Sequence, residues 1–289
     1  MVSNNDTSFL RILTLKQLAI VLGVPLEILN KYSTDSPKSH YVTFPKMVGS
    51  KIRKLTNPDP GLKAIQRKIN SSILQKYPLP DEFYGGVKKR DIVGNASKHL
   101  GKSNVSSVDI KNFFPSIPHG VVFKMYRELL GFSQEVSSML TKLTTYRYCV
   151  PQGTPTSTMV ANLCLVPTKE KIRKLLPKNI NLSFLVDDIT FSGDGAYLYI
   201  ESVIRILQKA GYSVRDKKIE SMGSAHRQVA TKLTVNKRIS VPKPTIKKYV
   251  LDAKNDTSIE KASTMGRINF VKHVSPRQGR RFERKIQKR

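Results

Sequence analysis

Two adjacent aspartates, Asp187 and Asp188, lie inside the apolar stretch NLSFLVDDITFSG at residues 181–193. The flanking residues are aromatic or β-branched, and this pattern predicts two strands joined by a two-residue turn. Neighbouring carboxylates in an apolar setting repel each other and lose hydration, so they require a compensating positive charge. The chain has only 21 acidic residues among 289. Two of them together therefore mark a place where a cation is expected.

A third carboxylate, Asp109, ends the strand-like stretch VSSVDIKNFF. Alone, an aspartate here is most often a strand-end or capping residue, because strand interiors disfavour it. The carboxylate of Asp109 can lie close to those of Asp187 and Asp188 at the tip of the hairpin. Carboxylates grouped in this way attract hard cations. Two Mg²⁺ ions held in this way stabilise the attacking and leaving oxygens of a phosphoryl transfer. Asp109, Asp187 and Asp188 are therefore predicted to form a two-metal site.

The elements that position these residues are segregated helices and antiparallel strands. Periodic apolar residues predict helices at 9–32 (two, broken at Gly23–Pro25), 59–77, 119–145, 155–176, 196–210 and in the tail from 245. Strands are predicted in a basic hairpin at 41–58, at 106–117, at 181–193 and at 212–240. Helices and strands do not alternate as βαβ units, which indicates an α+β fold.

The charge is strongly one-sided, with 50 Lys and Arg against 21 Asp and Glu and a formal net charge of +29. Such an excess opposes compaction, so a polyanionic partner is expected. No apolar stretch approaches a transmembrane helix, and the N-terminus lacks a signal-peptide layout, so no membrane partner is predicted. Cys149 and Cys164 have neither zinc nor disulfide-framework spacing. A cytoplasmic location is therefore expected.

Two local patterns offer rival interpretations. Ala96–Ser103 fits a loosened phosphate-loop pattern, but a strand-like stretch follows it where that loop needs a helix. LTLKQLAIVLGVPLEILNKY has the spacing of a helix-turn-helix, but its second helix carries little that could contact base edges. Packing of two amphipathic helices explains that second stretch better.

In this order, the motifs resemble those of bacterial retron-type reverse transcriptases over nearly the whole chain. The matching stretches are FPKMVGSKIRKLTNP, NASKHLGK, VDIKNFFPSI, PQGTPTS, LVDD, AGYSVRDKK and RQVATKLTVNKRI. The resemblance implies a right-hand polymerase with fingers, a palm whose antiparallel sheet packs on helices, and a small helical thumb. It assigns residues 1–105 to N-terminal helices and fingers, 106–235 to a palm with some interleaved fingers elements, and 236–289 to a basic thumb.

The resemblance also implies roles for individual residues. Asp109, Asp187 and Asp188 are the catalytic metal ligands, joined by Ile110. The nucleotide-binding positions are Lys46 and Arg53, which grip the triphosphate, Phe114, which screens the sugar, and Ile110, Gln152, Gly153 and Lys218. The RNA-binding positions are Asn95, His99, Gln228, Thr231, Lys232, Arg280 and Arg281.

Three positions depart from the family pattern. Leu185 stands where Tyr or Phe usually begins the aspartate motif, and the usual aromatic supports the primer strand. Lys232 replaces the glycine of a Val-Thr-Gly element, and Thr158 stands where Pro often follows the serine. None of these changes removes a predicted metal ligand, so an active enzyme is expected.

The function implied by the resemblance is RNA-directed DNA synthesis with two Mg²⁺ ions and deoxynucleoside triphosphates. A structured non-coding RNA would be both template and primer, synthesis would begin at an internal 2′-hydroxyl, and the product would be a branched RNA–DNA (msDNA). The resemblance further implies antiphage defence with a separate effector protein. Two alternatives are an untemplated or protein-primed relative of the abortive-infection type and a catalytically silent basic RNA-binding scaffold. The Asn-Ala-x-x-His element argues against the first, and the three intact aspartates argue against the second.

The C-terminal part is predicted to select the RNA. Residues 267–289 carry nine Lys or Arg and one acid, Glu283. Ile268, Phe270, Val271 and Val274 have near-helical spacing, so this part is expected to pack as a thumb helix bounded by Gly266 and Pro276. A packed helix holds its charges in fixed places, whereas a disordered tail gives only salt-sensitive attraction. Residues 228–289 are therefore predicted to choose the RNA that the palm copies.

Overall fold

The structure, a computed structural model, describes residues 11–34, 39–48, 51–216, 219–254 and 261–287. In these residues the helices are α1 (Leu15–Leu22), α2 (Leu26–Thr34), α3 (Pro60–Ser72), α4 (Ile92–Ser97), α5 (His119–Lys124), α6 (Gln134–Thr144), α7 (Ser157–Leu175), α8 (Ile200–Lys209), α9 (Lys243–Lys254), α10 (Lys261–Val274) and α11 (Pro276–Gln287). The strands are β1 (Tyr41–Val48), β2 (Lys51–Pro58), β3 (Asn104–Asp109), β4 (Asn181–Leu185), β5 (Asp188–Ser192), β6 (Glu220–Gly223), β7 (Val229–Ala230) and β8 (Leu233–Thr234). The predicted mixture of helices and antiparallel strands is confirmed.

The chain divides into two compact units, each assembled from three separate segments. The first unit comprises Met1–Lys89, Ile110–Lys171 and Ile206–Ser213, and the second comprises Arg90–Asp109, Ile172–Arg205 and Val214–Arg289. Both units are interleaved along the sequence. The three-part division at residues 105 and 235 stays a prediction.

In the first unit, β1 and β2 form an antiparallel hairpin with a continuous register from Tyr41↔Pro58 to Val48↔Lys51. The base of the hairpin is fixed by the buried amide of Gln66 in α3, whose Nε2 donates to the Tyr41 hydroxyl and to the carbonyl of Leu143, both at 2.9 Å. Burial raises the pKa of Tyr41 well above its usual range, so this hydroxyl remains protonated. The hairpin base is therefore tied to α3 and α6.

The predicted helix over 119–145 is interrupted. A π-helical turn at Met125–Leu129 follows α5, and the chain then reverses at Gly131, whose φ is +71°. Ser133 begins α6 by accepting a hydrogen bond from the backbone N–H of Val136, at 3.2 Å. The interruption follows ordinary capping chemistry, because Gly adopts the left-handed conformation at no steric cost and Ser satisfies an orphan amide.

In the second unit, four antiparallel strands lie in the order β4-β5-β3-β6. The register places Ser107 opposite Thr190 and Val108 opposite Ile189. Because side chains alternate between the faces of a strand, one face of the sheet is mainly apolar, and the other carries Ser107, Thr190 and Ser192. Asp109 and Asp188 belong to the polar face.

The C-terminal helices have an apolar core of their own within the second unit. Buried side chains from α4, β3, the β7–β8 hairpin, α10 and α11 form one cluster, which comprises Ala96, Val105, Ala230, Leu233, Val235, Val241, Ile268, Val271, Val274 and Phe282. The predicted packing of Ile268, Val271 and Val274 is confirmed. The predicted boundary at Gly266 is wrong, because α10 runs through it from Lys261, whereas Pro276 does begin a helix.

No helix in the described part of the chain combines the length and the apolar character that crossing a lipid bilayer requires.

Candidate active site

The central feature is a pair of carboxylates at the end of the sheet in the second unit. Asp109, the last residue of β3, is directly opposite Asp188, the first residue of β5. Directly opposite side chains project from the same face, and like charges in this arrangement are destabilising. Asp109 is also buried, at 5% exposure. The sheet therefore holds together two groups that require nearby positive charge.

Asp187 lies in the turn that joins β4 to β5. The strand register pairs Leu185 with Asp188, so Val186 and Asp187 are the two turn residues. Val186 has φ +60°, a left-handed conformation that a β-branched residue rarely adopts. Strain of this kind costs on the order of 1–3 kcal/mol and concentrates at functional sites. The predicted hairpin with a two-residue turn is present, but the expectation that both aspartates lie at its tip is wrong, because Asp188 is the first residue of β5. The three aspartates lie at one end of the sheet.

Arg215, which the sequence did not predict to be part of the site, places a positive charge next to Asp109. The Nη1 atom of Arg215 is 2.8 Å from Asp109 Oδ1, and the Arg215 backbone N–H donates to the Asp109 carbonyl at 3.0 Å. The Arg215 side chain keeps 27% of its surface exposed. This arginine belongs to the AGYSVRDKK stretch, in which the sequence predicts a role for Lys218 alone. The only signal in the sequence was an arginine three residues before Lys218, in a motif predicted to lie near the triphosphate.

The donor set fits Mg²⁺ by its chemistry. Carboxylate oxygens, supplemented by the carbonyl of Ile110, are the ligands that hard divalent cations prefer. Asp109 and Asp188 are directly opposite each other across β3 and β5, and Arg215 contacts Asp109. In the described residues no three His, Cys, Asp or Glu side chains are grouped closely enough to hold an ion by themselves. The two-metal assignment therefore stays a prediction.

His99 braces the polar face of the same sheet. Its ring lies between Ser192 Oγ, 2.7 Å from Nδ1, and Ser183 Oγ, 2.7 Å from Nε2. Burial, with smaller contributions from Lys98 and Lys102, lowers the pKa of His99 to about 3, so the ring is neutral. Because His99 is fully buried, its observed contacts are with strands β4 and β5. A direct contact of His99 with RNA stays a prediction, and what the structure supports is a positioning role.

The first unit presents the predicted triphosphate grip on the β1–β2 hairpin. Lys46 and Arg53 are cross-strand partners, and both side chains are exposed. Two cations placed directly opposite each other repel unless an anion lies between them. The pair therefore has the arrangement that a bound phosphate would stabilise. Lys218, the third predicted cation for the nucleotide, lies outside the described residues.

The Gln152–Gly153 loop packs against the same hairpin. The Thr56 backbone N–H of β2 donates to the Gln152 carbonyl at 2.8 Å. Gly153 has φ +111°, and a Cβ there would lie 3.2 Å from the Thr56 carbonyl oxygen. Only glycine permits this close approach without strain. The predicted nucleotide-binding loop is thus built onto the predicted triphosphate hairpin.

Phe114 and Ile110 lie in the segment after β3. Phe113 is buried, and its ring centroid is 5.6 Å from that of Phe114, which remains half-exposed. Asn112 between β3 and these rings has φ +51°, which turns the chain sharply. Ile110 is fully buried, and because its side chain is a hydrocarbon, only its backbone carbonyl could act as a ligand.

The predicted RNA-binding residues fall into two groups. Asn95, Gln228 and Thr231 are buried, and Gln228 donates to the carbonyl of Lys102 at 2.8 Å, so these residues organise the second unit. Thr231 and Lys232 form the β7–β8 turn with φ of +48° and +69°, which explains why a glycine suits the Lys232 position. The exposed group consists of Lys232, Arg280 and Arg281.

Arg281 lines a basic cavity of about 640 Å³ in the second unit. Five cationic side chains surround this cavity, namely Arg227, Arg238, Lys243, Arg277 and Arg281. Gln278 closes one wall by exchanging two hydrogen bonds with the backbone of Val241, at 2.7 and 2.9 Å. Sequence reasoning identified the basic tail but not this convergence of cations from four separate segments.

The antiparallel sheet with its terminal aspartates and the basic hairpin are consistent with the fingers and palm fold that the sequence predicts. A solved telomerase from Candida albicans, in complex with a fragment of telomeric RNA, has the same fold at a TM-score of 0.52, over 74% of this chain and 50% of that one. The sequences are 10% identical, so this likeness shows the fold alone.

The family follows from the sequence. A family model described as reverse transcriptase (RNA-dependent DNA polymerase) matches residues 43–263, and the chain belongs to this family. Among curated proteins it is 36% identical over 185 residues to the retron Se72 reverse transcriptase of Salmonella heidelberg, which covers 63% of this chain and 48% of that protein. It is 29% identical over 309 residues to the retron Mx65 reverse transcriptase of Myxococcus xanthus, covering 94% and 71%.

A third relative, the retron Ec86 reverse transcriptase of Escherichia coli, is 26% identical over 209 residues, covering 71% of this chain and 65% of that protein. The predicted resemblance to retron-type reverse transcriptases is confirmed. The matched region spans about half the length of the Se72 relative.

Proposed function

We propose that this protein is an RNA-directed DNA polymerase that copies a structured non-coding RNA into branched msDNA. The observation that carries the proposal is the pair of opposed carboxylates, Asp109 and Asp188, beside Asp187 in a strained turn. A chain with a net charge of +29 has little reason to concentrate acids at one strand end unless they hold cations.

Each part of the site has a role in this chemistry. Asp109, Asp187 and Asp188, with the Ile110 carbonyl, would hold two Mg²⁺ ions. When bound, these ions supply activation of the attacking hydroxyl and charge stabilisation on the triphosphate. Lys46 and Arg53 neutralise the β- and γ-phosphates through charge-assisted contacts.

The remaining residues select and position the nucleotide. The ring of Phe114 excludes a ribose 2′-hydroxyl, and the Gln152–Gly153 backbone forms the floor beneath the nucleotide and template. Lys218 is the third cation assigned to the triphosphate in this proposal. The retron-like motifs support priming from an internal 2′-hydroxyl, a role in antiphage defence and a separate effector protein.

The test is primer extension on an RNA template with four deoxynucleotides and Mg²⁺. Asp109→Asn and Asp187→Asn should each reduce synthesis by about 10²-fold or more, because each removes charge from the reacting centre. Glu135→Gln, which changes an exposed carboxylate in α6, is the matched control and should leave synthesis unchanged.

The same assay separates the two alternatives. Synthesis that proceeds equally well without template would favour the untemplated relative. RNA binding without any synthesis under these conditions would favour the silent scaffold. Near-normal extension by either aspartate variant would overturn the assignment of the metal site.

A further inference from the structure

A strained turn at Arg147–Tyr148 in the first unit has no part in the site described above. Arg147 has φ +51° and Tyr148 has φ +62°, so two consecutive residues other than glycine adopt the left-handed conformation. Two backbone hydrogen bonds close the turn. The Tyr146 N–H donates to the Cys149 carbonyl at 2.9 Å, and the Cys149 N–H donates to the Tyr146 carbonyl at 3.2 Å. Turns of this geometry strongly prefer Asn and Gly.

The strain is not offset by burial of the turn residues. Tyr148 is 85% exposed, the highest value among the large apolar or aromatic side chains that the structure describes. Its neighbour Tyr146 is buried and packs its ring 4.5 Å from that of Tyr41. The chain therefore buries Tyr146 and leaves Tyr148 in solvent, on a turn whose conformation carries a cost.

His119 contacts both the backbone and the ring of Tyr148. The His119 N–H donates to the Tyr148 carbonyl at 2.8 Å, and its imidazole meets the Tyr148 ring edge-on with centroids 6.4 Å apart. His119 Nδ1 is itself 2.9 Å from Thr145 Oγ1. A ring fixed before binding loses little conformational freedom when a partner stacks on it.

The surroundings of the ring are cationic. Residues 141–150 contain Lys142 and Arg147 and no acid. The Arg147 guanidinium lies 5.3 Å from the centroid of the Tyr146 ring. Burial and the nearby Lys142 charge lower the pKa of His119, so this histidine is neutral near pH 7 and the local charge comes from the two cations.

The turn also stands directly before the predicted template floor. Val150 and Pro151 alone separate Cys149 from Gln152, whose carbonyl accepts from Thr56 of β2. The Val150 N–H donates to the Ile117 carbonyl at 3.0 Å, which ties this short connection to the segment after β3. The position of the turn is thus fixed relative to the loop expected to contact the template.

We infer that Tyr148 is a stacking platform for an unpaired base of the template RNA, with Arg147 contacting the adjoining phosphate. Aromatic side chains stack on unpaired bases without regard to sequence, and arginine adds charge and a second stacking surface. A sequence-tolerant contact suits an enzyme that must move every template base past the same point. The inference rests on the proposed function, because it takes the RNA to be a template.

The test measures binding without synthesis. A short single-stranded RNA carrying 2-aminopurine is titrated with protein in which Asp109→Asn blocks extension, and both affinity and fluorescence quenching are recorded. Tyr148→Ala should weaken binding about ten-fold and remove most of the quenching, whereas Tyr148→Trp should retain both. Tyr197→Ala, which removes a tyrosine that is 54% exposed in the second unit, is the matched control and should change neither.

A second substitution separates function from folding. Tyr148→Asn should keep or raise the melting temperature, because Asn tolerates the left-handed conformation, yet it should weaken RNA binding as the Ala variant does. Unchanged affinity and quenching in Tyr148→Ala would overturn the inference, as would a loss of melting temperature in both variants that accounts for the weaker binding. Failure of wild-type protein to extend any primed RNA would instead count against the proposed function.

Discussion

Arg215 places a fixed positive charge 2.8 Å from Asp109 Oδ1, a position where sequence reasoning expected only metal ions. A fixed cation reduces the negative potential that attracts Mg²⁺. Arg215→Ala should therefore lower the Mg²⁺ concentration needed for half-maximal synthesis, by about three- to ten-fold on the scale of a single charge interaction at this depth. Mn²⁺ binding followed by electron paramagnetic resonance gives a second readout that does not depend on turnover. Arg215→Lys keeps the charge and is the control, and an unchanged or higher Mg²⁺ requirement in the Ala variant would show that Arg215 does not compete with metal.

A second prediction for a single residue concerns Phe114 and the choice between ribose and deoxyribose. Its ring is supported by Phe113 and remains half-exposed, so it can bound the nucleotide pocket. Phe114→Ala should raise the use of ribonucleotides relative to deoxynucleotides by about ten-fold or more, even where the overall rate falls. Competition between both nucleotides on one template measures the ratio. Phe114→Tyr retains the ring and should keep the wild-type ratio, and an equal ratio in the Ala variant would remove Phe114 from sugar selection.

At the scale of elements, local sequence patterns predict secondary structure better than they predict contacts between residues far apart in the chain. The aspartate hairpin, the basic hairpin and most helices follow from periodicity and turn residues over a few positions. The interruption at Gly131 and the passage of α10 through Gly266 show the ambiguity of glycine, which ends one helix and is tolerated inside another. The Asp109–Arg215 ion pair joins residues far apart in the chain, so no local pattern encodes it.

His99, which contacts strands β4 and β5, allows a prediction about how stability depends on pH. Its folded pKa of about 3 lies below the ordinary value of 6.5, so the unfolded chain binds a proton that the folded chain does not. The stability that the neutral ring contributes is complete above about pH 6.5 and is lost as pH falls from there toward 3, by about 1.4 kcal/mol per pH unit. His99→Gln should flatten this slope in denaturant unfolding measured from pH 7 to pH 4.5. If the unfolding free energy of the variant kept the wild-type dependence on pH, His99 would not be the source of that dependence. A lower unfolding free energy that does not change with pH would agree with the prediction.

At the scale of the whole molecule, the positive charge is organised rather than diffuse. Cations on the β1–β2 hairpin belong to the first unit, and five cations surround the cavity in the second. Arg277 and Arg281 in that cavity extend from α11, whose Phe282 is buried in the apolar cluster. A helix anchored in this way holds its charges in fixed positions, whereas a free tail gives only salt-sensitive attraction.

This arrangement supports the prediction that residues 228–289 choose the cognate RNA while the rest of the chain copies it. Replacing the segment with the equivalent part of another retron-type enzyme should transfer RNA preference and leave the Mg²⁺ requirement unchanged. The graft must preserve the packing of Ala96 and Val105 against the segment's apolar core, since these two residues lie outside the segment.

Affinity for both RNAs is measured at about 150 mM salt, where nonspecific attraction is weak. Arg284→Gln, on the exposed side of α11 and outside the cavity, is a charge-matched control for Arg281→Gln. Equal affinity of native and grafted proteins for both RNAs, with equal effects of the two arginine substitutions, would mean that the segment contributes charge but no selection.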